Sequence, residues 1–498
     1  MESDAPLVGI PITLHDLLMA RLDRVASMRA VAQAGAAIGR EFSYQLLRAV
    51  CDLSEDELRS ALGQLVASEL VFQRGISPNA IYSFKHALVQ DAAHSSLLRS
   101  SRQQLHARIA ASLEAHSPEL VDSQPELVAQ HYAEAGLTER SVVLWSKAGQ
   151  RSAARSAMAE AAAQFRRGLD QLALLPETPE RQREELEIWS ALGAVLVAVK
   201  GSPAPETGHA YARARELWEQ LGSPSEFLQV PYGLARCHGH QGEIGLALCL
   251  DEDLLRLSRQ RNDSAGLVLG HHSCGRDLLV AGSFASSKSH LEAALALFDP
   301  ISHGLLPRQV GGHPALGSQA ILGIVLVCLG YLDQALAQSS AAVAEARRLA
   351  HPPYLAPTLG YHARVLTLLR EETLLSECVG QMDAVATEQG FPFWRAQATV
   401  YRGWVKANIG DVAEGISLLR DGASAYSATG GKWGISYYIA LLAKACEVAG
   451  QIEEALALVN EALQTADNTE ERWLVAEMNR HKGQLLARQF RRRRGTVS

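Results

Sequence analysis

Tyr82-Ser-Phe-Lys-His-Ala-Leu-Val-Gln-Asp-Ala-Ala-His-Ser-Ser-Leu-Leu98 runs directly into Arg99-Ser-Ser-Arg-Gln-Gln-Leu-His-Ala-Arg-Ile-Ala-Ala-Ser-Leu-Glu114, and this stretch decides how the chain is read. It opens as a short strand ending at Phe84 and continues as two helices with polar faces. Everything before it reads as one small compact domain, and everything after it as helical hairpins.

The bulk properties agree with that division. A chain of 498 residues is too long for one core and implies about three domain-sized pieces, or a small domain and an extended array. Hydrophobic residues make up 47% but aromatics only 6%, a helix-rich balance. A net charge of −7 gives no global footprint for nucleic acid or an anionic membrane. The seven cysteines are scattered and form no Cys-x-x-Cys, which suits a reducing compartment and a cytoplasmic protein. No signal peptide is expected at the N-terminus, and the longest apolar run, Ala320 to Leu332, is too short to span a bilayer.

Upstream of the opening stretch, Leu14, Leu17, Leu18, Ala20 and Leu22 form an apolar stripe with little chain before it to pack against. The stripe is expected to be either the tail of a domain that begins elsewhere or a free-standing helix docked on the next domain. From Ser27 to Phe84 the pattern is three helices and a hairpin. Ser54 and Glu57 form a capping box, after which Leu58, Leu62, Leu65 and Val66 share a helical face. Two short apolar runs then flank a turn holding Gly75, Pro78 and Asn79. That order reads as a winged helix. Such domains often read DNA, but the helix that would enter the groove opens with Glu55, Asp56 and Glu57, which phosphate repels. A structural or regulatory role is favoured; the alternative is a DNA-binding transcriptional regulator with a helical-repeat sensor domain.

Downstream, Gly242, Gly282, Gly330, Gly410 and Gly450 each separate two amphipathic segments, with gaps of 40, 48, 80 and 40. The 80-residue gap has its midpoint at Arg370, so one repeat has lost its glycine. Small residues recur seven before, five after and twelve after the turn: Gly323, Ala335 and Ala342; Gly403, Gly415 and Gly422; Ala443, Ala455 and Ala462. Around Gly242 the set is Ala235, Ala247 and Leu254. This pattern favours tetratricopeptide (TPR) hairpins over HEAT repeats. The expected fold is therefore all-α, a small winged-helix domain followed by an α-solenoid of TPR-like hairpins with a period of about 40. Two turns are expanded, at Lys200 to Pro205 and at Asp299 to Pro314, and read as partner contacts or as tolerated insertions.

No catalytic motif is present. There is no Gly-x-x-x-x-Gly-Lys-[Ser/Thr], Gly-x-Ser-x-Gly or His-Glu-x-x-His, and no Gly-x-Gly-x-x-Gly after a strand. Cys237, His238 and His240 with His271, His272 and Cys274 offer thiolate and imidazole ligands, but they crowd along helices without the two-residue gaps of structural zinc. Buried Cys and hydrogen-bonded His are the expected reading. No enzyme activity, metal or cofactor is expected.

Phe84-Lys-His-Ala-Leu-Val-Gln-Asp-Ala-Ala93 resembles a segment of large bacterial proteins that join a class III adenylate/guanylate cyclase domain, a STAND-type ATPase and a TPR array. Ile10-Pro-Ile-Thr-Leu14 and Ala20-Arg-Leu-Asp-Arg24 resemble the exit from the ATPase core of that family; its P-loop and cyclase domains have no counterpart in these residues. The resemblance implies residues 1–26 as a remnant of that exit, 27–84 as the winged helix, 85–116 as a helical joint, 117–490 as the TPR-like solenoid and 491–498 as a basic tail. It implies a non-catalytic regulatory module whose groove takes a protein or peptide, coupled to a separate ATPase or cyclase chain. In STAND ATPases a Met-His-Asp motif at this corner sets its His against the phosphates of ADP. Lys85-His86-Ala87 resembles that motif with Asp replaced, so Lys85 and His86 are the candidate nucleotide-sensing residues once an ATPase core is supplied. The alternative for His86 is a buried imidazole bonding a backbone carbonyl at a strand-to-helix corner. His94 stands where the family commonly has Tyr.

Overall fold

The computed structural model describes residues 26–495, and side chains as far as Arg491. The apolar stripe at 14–22 and most of the basic tail lie outside the described residues. The chain divides into two compact units, one built from residues up to 148 together with 166–176, the other from 149–165 and from 177 onward.

In the first unit, helices Ala26–Ile38, Tyr44–Val50 and Glu55–Ala67 surround three short strands, β1 Glu41–Ser43, β2 Val71–Arg74 and β3 Ile81–Phe84. The sheet order is β1-β3-β2, antiparallel throughout, with Phe42 opposite Tyr82 and Val71 opposite Phe84. Gly35 lets the sheet close on the first helix, because a Cβ there would lie 2.7 Å from the Phe42 ring. Ser54 caps the third helix and Glu57 closes the box by accepting from the Ser54 amide at 2.9 Å.

The stretch from 82 to 114 belongs to this core. Helices Ala87–Ser95 and Arg99–His116 bury Val89, Ala92, Leu105, Ile109 and Leu113 in one cluster with Val31, Leu47, Leu62 and Phe84. The cluster extends to Val128, Ala129 and Tyr132 of helix Pro125–Ala135, which Gly136 ends at φ 75°. At its centre the Nδ1 atoms of His106 and His131 lie 2.8 Å apart, one ring donating to the other. His94 packs edge-on against His106.

In the second unit, hairpins succeed one another: Pro179–Val199 with Pro205–Gln220, Gln229–His240 with Ile244–Arg261, Ser264–Val280 with Phe284–Leu297 and Pro314–Cys328 with Leu332–Leu349. Then come Pro352–Leu369 with Glu372–Glu388, Pro392–Asn408 with Val412–Ala428 and Ile435–Val448 with Ile452–Asn468. Helix Val475–Gly495 stands last. This is an α-solenoid of TPR-like hairpins. The five period glycines all sit at positive φ, and Arg370 takes the same left-handed conformation at φ 61°. The small-residue positions lie where the paired helices touch: a Cβ on Gly403 would be 2.7 Å from the Leu419 nitrogen, and one on Gly415 would be 2.6 Å from that of Ala407. Ala335, Ala342, Ala443, Ala455 and Ala462 are fully buried.

Three contacts tie early hairpins to late ones at one separation, 192 residues. The Lys432 amide donates to the His240 carbonyl at 2.9 Å, the Arg472 amide donates to the Val280 carbonyl at 2.7 Å, and Gly201 lies against the Phe393 side chain. The expanded turn between Asp299 and Pro314 folds inward as well: its short helix Leu306–Gln309 ends at a buried Val310, and Gly311 lies against the Ala194 carbonyl. Among the described residues no helix is long and apolar enough to cross a membrane.

Arg370→Gly removes the left-handed strain at the repeat turn whose period glycine is replaced and should raise stability by about 1 kcal/mol in urea unfolding. Burial holds both His106 and His131 down to about 4; at His106 the neighbouring Glu134 opposes it while His94 and Arg102 add to it, and at His131 the His106 ring adds to it. The unfolded chain therefore takes up protons first as pH falls below about 6.5. The first unit should keep its full stability above that pH and lose it progressively toward pH 4. A melting temperature flat across that window would refute the neutral pair.

Candidate functional site

The first helices of successive hairpins converge on a chamber of about 70 Å³. Helix Gln229–His240 contributes Tyr232, Arg236 and His240, and helix Ser264–Val280 contributes His272 and Arg276. Facing them are Tyr354, Tyr361, Phe391, Phe393 and Trp394, while Gly311, Gly312 and His313 of the folded-in turn close one side.

The cationic wall is almost dry: Arg276 is 1% exposed and Arg236 is 7%. Burying a guanidinium is costly unless its donors are met. Arg276 meets the requirement on one edge, where Nε and Nη2 donate to the Asp277 carboxylate at 2.8 and 2.7 Å and Nη2 also donates to Ser273 Oγ. Gly239 makes room for that pair, since a Cβ there would stand 3.0 Å from Asp277 Oδ1. Nη1, on the opposite edge, has no partner among the described residues. Arg236 donates from Nη2 to the Val310 carbonyl at 3.0 Å and lies over the Tyr232 ring, and no ion pair forms on it among the described residues. Behind the wall, burial and then the neighbouring Asp277 push Asp251 well above its ordinary value.

The three imidazoles are neutral, burial holding His313 down to about 4. Burial, then Arg276, drives His272 down to about 3 and His240 well below its ordinary value. His240 Nδ1 donates to the Arg236 carbonyl at 2.9 Å, which leaves Nε2 as an acceptor. His272 Nδ1 is 2.9 Å from Ser318 Oγ, and Gly317 leaves room for the ring, since a Cβ there would stand 2.7 Å from His272 Cε1.

The cysteine and histidine candidates are not brought to one point. Cys237 and Cys274 are buried thiols held up by burial, His238 pairs with Glu243 at 2.6 Å on the turn, and His271 packs on His290. Among the described residues no three His, Cys, Asp or Glu side chains are grouped to hold a metal ion. In the first unit, His86 is exposed at the N-cap of helix Ala87–Ser95 and makes no capping bond, so the buried-corner alternative does not describe it. Lys85 bonds Glu69 at 2.9 Å and lies over the Phe72 ring.

No sequence motif points to the chamber's arginines, yet the repeat register marks them. Arg236, Arg276 and Arg364 each stand six positions before a turn residue, at 242, 282 and 370. Arg364 is likewise buried, held by the Tyr401 and Tyr438 hydroxyls and ringed by Trp433, Tyr437 and Trp473.

No family model matches the chain. It is 26% identical over 482 residues to an uncharacterized protein of Rhizobium meliloti (strain 1021), covering 95% of this chain and 46% of that protein. The chain thus spans about half the length of the curated relative it matches. Similar solved structures include a Rap protein complexed with competence and sporulation factor (12% identity, TM-score 0.44, 70% of this chain and 98% of that one). The APC/C hetero-tetramer Cut9–Hcn1 aligns at 14% identity and a TM-score of 0.44 over 88% of this chain and 77% of the other. A STAND protein with a tetratricopeptide repeat sensor from Pyrococcus horikoshii aligns at 13% identity and 0.33 over 84% and 66%. The array is defined by its own helices and turns.

Gly311 closes the chamber at φ 64°, where a Cβ would sit 2.1 Å from the Ala194 carbonyl oxygen. Gly311→Ala should therefore destabilise the chain by about 2 kcal/mol or more, read as a fall in thermal midpoint. Gly380→Ala, with open space around it and no strained φ, is the control expected to leave the midpoint unchanged or slightly raised.

Proposed function

We propose that the chain is a non-catalytic regulatory and protein-interaction module, in which a winged helix at residues 27–84 couples a TPR-like partner-binding array to a STAND ATPase of the cyclase-linked kind. The observation that carries this reading is the exposed corner at His86. The imidazole stands at a helix start beside Lys85, and the exposed apolar side chains Phe72, Ile76 and Leu88 belong to the same strand-turn-helix segment. A surface with apolar side chains around a donor pair suits docking against another domain with an anion near the seam. The order helix, strand, helix, helix, strand, strand also supports a winged helix, and the resemblance of Phe84 to Ala93 supports the ATPase connection. DNA reading is disfavoured by Glu55, Asp56 and Glu57, which are all exposed at the start of the third helix.

The test is reconstitution with a cognate P-loop ATPase core. His86→Ala should leave the chain's melting temperature within about a degree, as expected for an exposed side chain. It should speed ADP release from the reconstituted pair several-fold. Unchanged ADP retention would sink the sensing role of His86, and failure of the two chains to associate would sink the coupling reading.

A further inference from the structure

We infer that a larger cavity of the second unit, beside the chamber, binds an unbranched aliphatic carboxylate of medium chain length, an inference that does not rest on the coupling reading. The cavity measures about 430 Å³ and lies where the expanded turn from Asp299 to Pro314 folds in against helix Pro179–Val199 and the start of helix Pro352–Leu369. Small-molecule sites commonly occupy about 300–1,000 Å³.

Its floor is apolar. Met158, Phe165, Ala194, Val195 and Ala198 line it and are buried, while Leu305 of the turn lines it and is 68% exposed, so an apolar lip continues the floor to the surface. Such a lining draws a hydrocarbon chain out of water. The polar groups gather at His351. Ser156 Oγ lies 2.7 Å from His351 Nδ1, the His351 and Tyr354 rings meet edge-on at 4.2 Å, and Arg308 is near enough to bear on the ionisation of both. With Ser156 donating to Nδ1, the ring proton is on Nε2, which becomes a donor, and burial keeps the Tyr354 hydroxyl protonated up to about 12. Neither Nε2 nor that hydroxyl has a partner among the described residues.

The charge completes the description of the ligand. No Asp, Glu or Lys lines the cavity among the described residues, and Arg308, which does, is exposed with its guanidinium bonded to none of them. Burial, then Arg308, holds His351 down to about 4, so the imidazole is neutral at pH 7. One cation flanked by two neutral donors complements a monoanionic carboxylate, whereas a phosphate monoester would leave its second charge unmet. An extended polypeptide would bring backbone amides that the apolar floor leaves unbonded. The volume equals that of about fourteen waters at about 30 Å³ each, room for a chain of about ten carbons with its headgroup.

The experiment is calorimetric titration of the full chain with decanoate, set against decanol for the charge, butyrate for the chain and decyl phosphate for the headgroup. Decanoate should bind and raise the thermal midpoint, and each of the other three should bind at least about tenfold more weakly. Arg308→Gln alters an exposed, unbonded side chain, so it should melt with the parent and weaken decanoate by about tenfold. Ala191 is half-buried and lines the cavity, and Ala191→Leu should weaken decanoate by filling it. If Ala191→Leu melts below the parent, Arg308→Gln decides alone. No binding of decanoate, equal or tighter binding of decanol, butyrate or decyl phosphate, or unchanged decanoate binding in a variant that melts with the parent overturns the site.

Discussion

Buried guanidinium groups govern the interior of the second unit. Water satisfies the N–H donors of an arginine in the unfolded chain, and each arginine that folds inward must recover them from the protein. Arg276 recovers three of its five from Asp277 and Ser273, and Arg364 recovers two from tyrosine hydroxyls, with aromatic rings around its plane. Arg236 recovers one from the Val310 carbonyl of the expanded turn, which also buries Leu306 and Val310 in a cluster with Trp218, Phe227 and Leu228. The turn brings Gly311 against the Ala194 carbonyl, where any side chain would collide with backbone. One cation's donor thus connects the insertion, the glycine and the chamber wall.

Much of the architecture was legible because it is local and repeated. The turn glycines must be glycine or bear strain, so their spacing revealed the period, and the midpoint of the 80-residue gap located Arg370, which adopts the left-handed conformation in their place. The small residues at fixed offsets were legible for a related reason: Gly403, Gly415 and Gly422 sit where two backbones nearly touch. In the first unit the capping box at Ser54 and Glu57 forms as the residues require.

What was not legible depends on distant partners. The turn from Asp299 to Pro314 has the composition of a surface loop, and nothing in its sequence says that Val310 meets Arg236 across 74 residues. His86 sits at a corner where either burial or exposure suits the local pattern, and only the packing of the sheet decides for exposure. Arg236, Arg276 and Arg364 shared a register position in plain view. In a helix an arginine is ordinarily a solvated residue, so the coincidence carried no weight until burial was known.

The contacts at a separation of 192 residues change how the second unit folds and fails. In a simple repeat array each hairpin touches only its neighbours, so stability accumulates unit by unit and terminal hairpins can be lost singly. Here the backbones near 240 and 280 are bonded to those near 432 and 472. These bonds require most of the array to be in place before they form, and closing so long a loop delays them relative to the hairpins. Cooperativity is then expected to span the hairpins from 229 to 473, with the last of them acting as a clasp on the second and third.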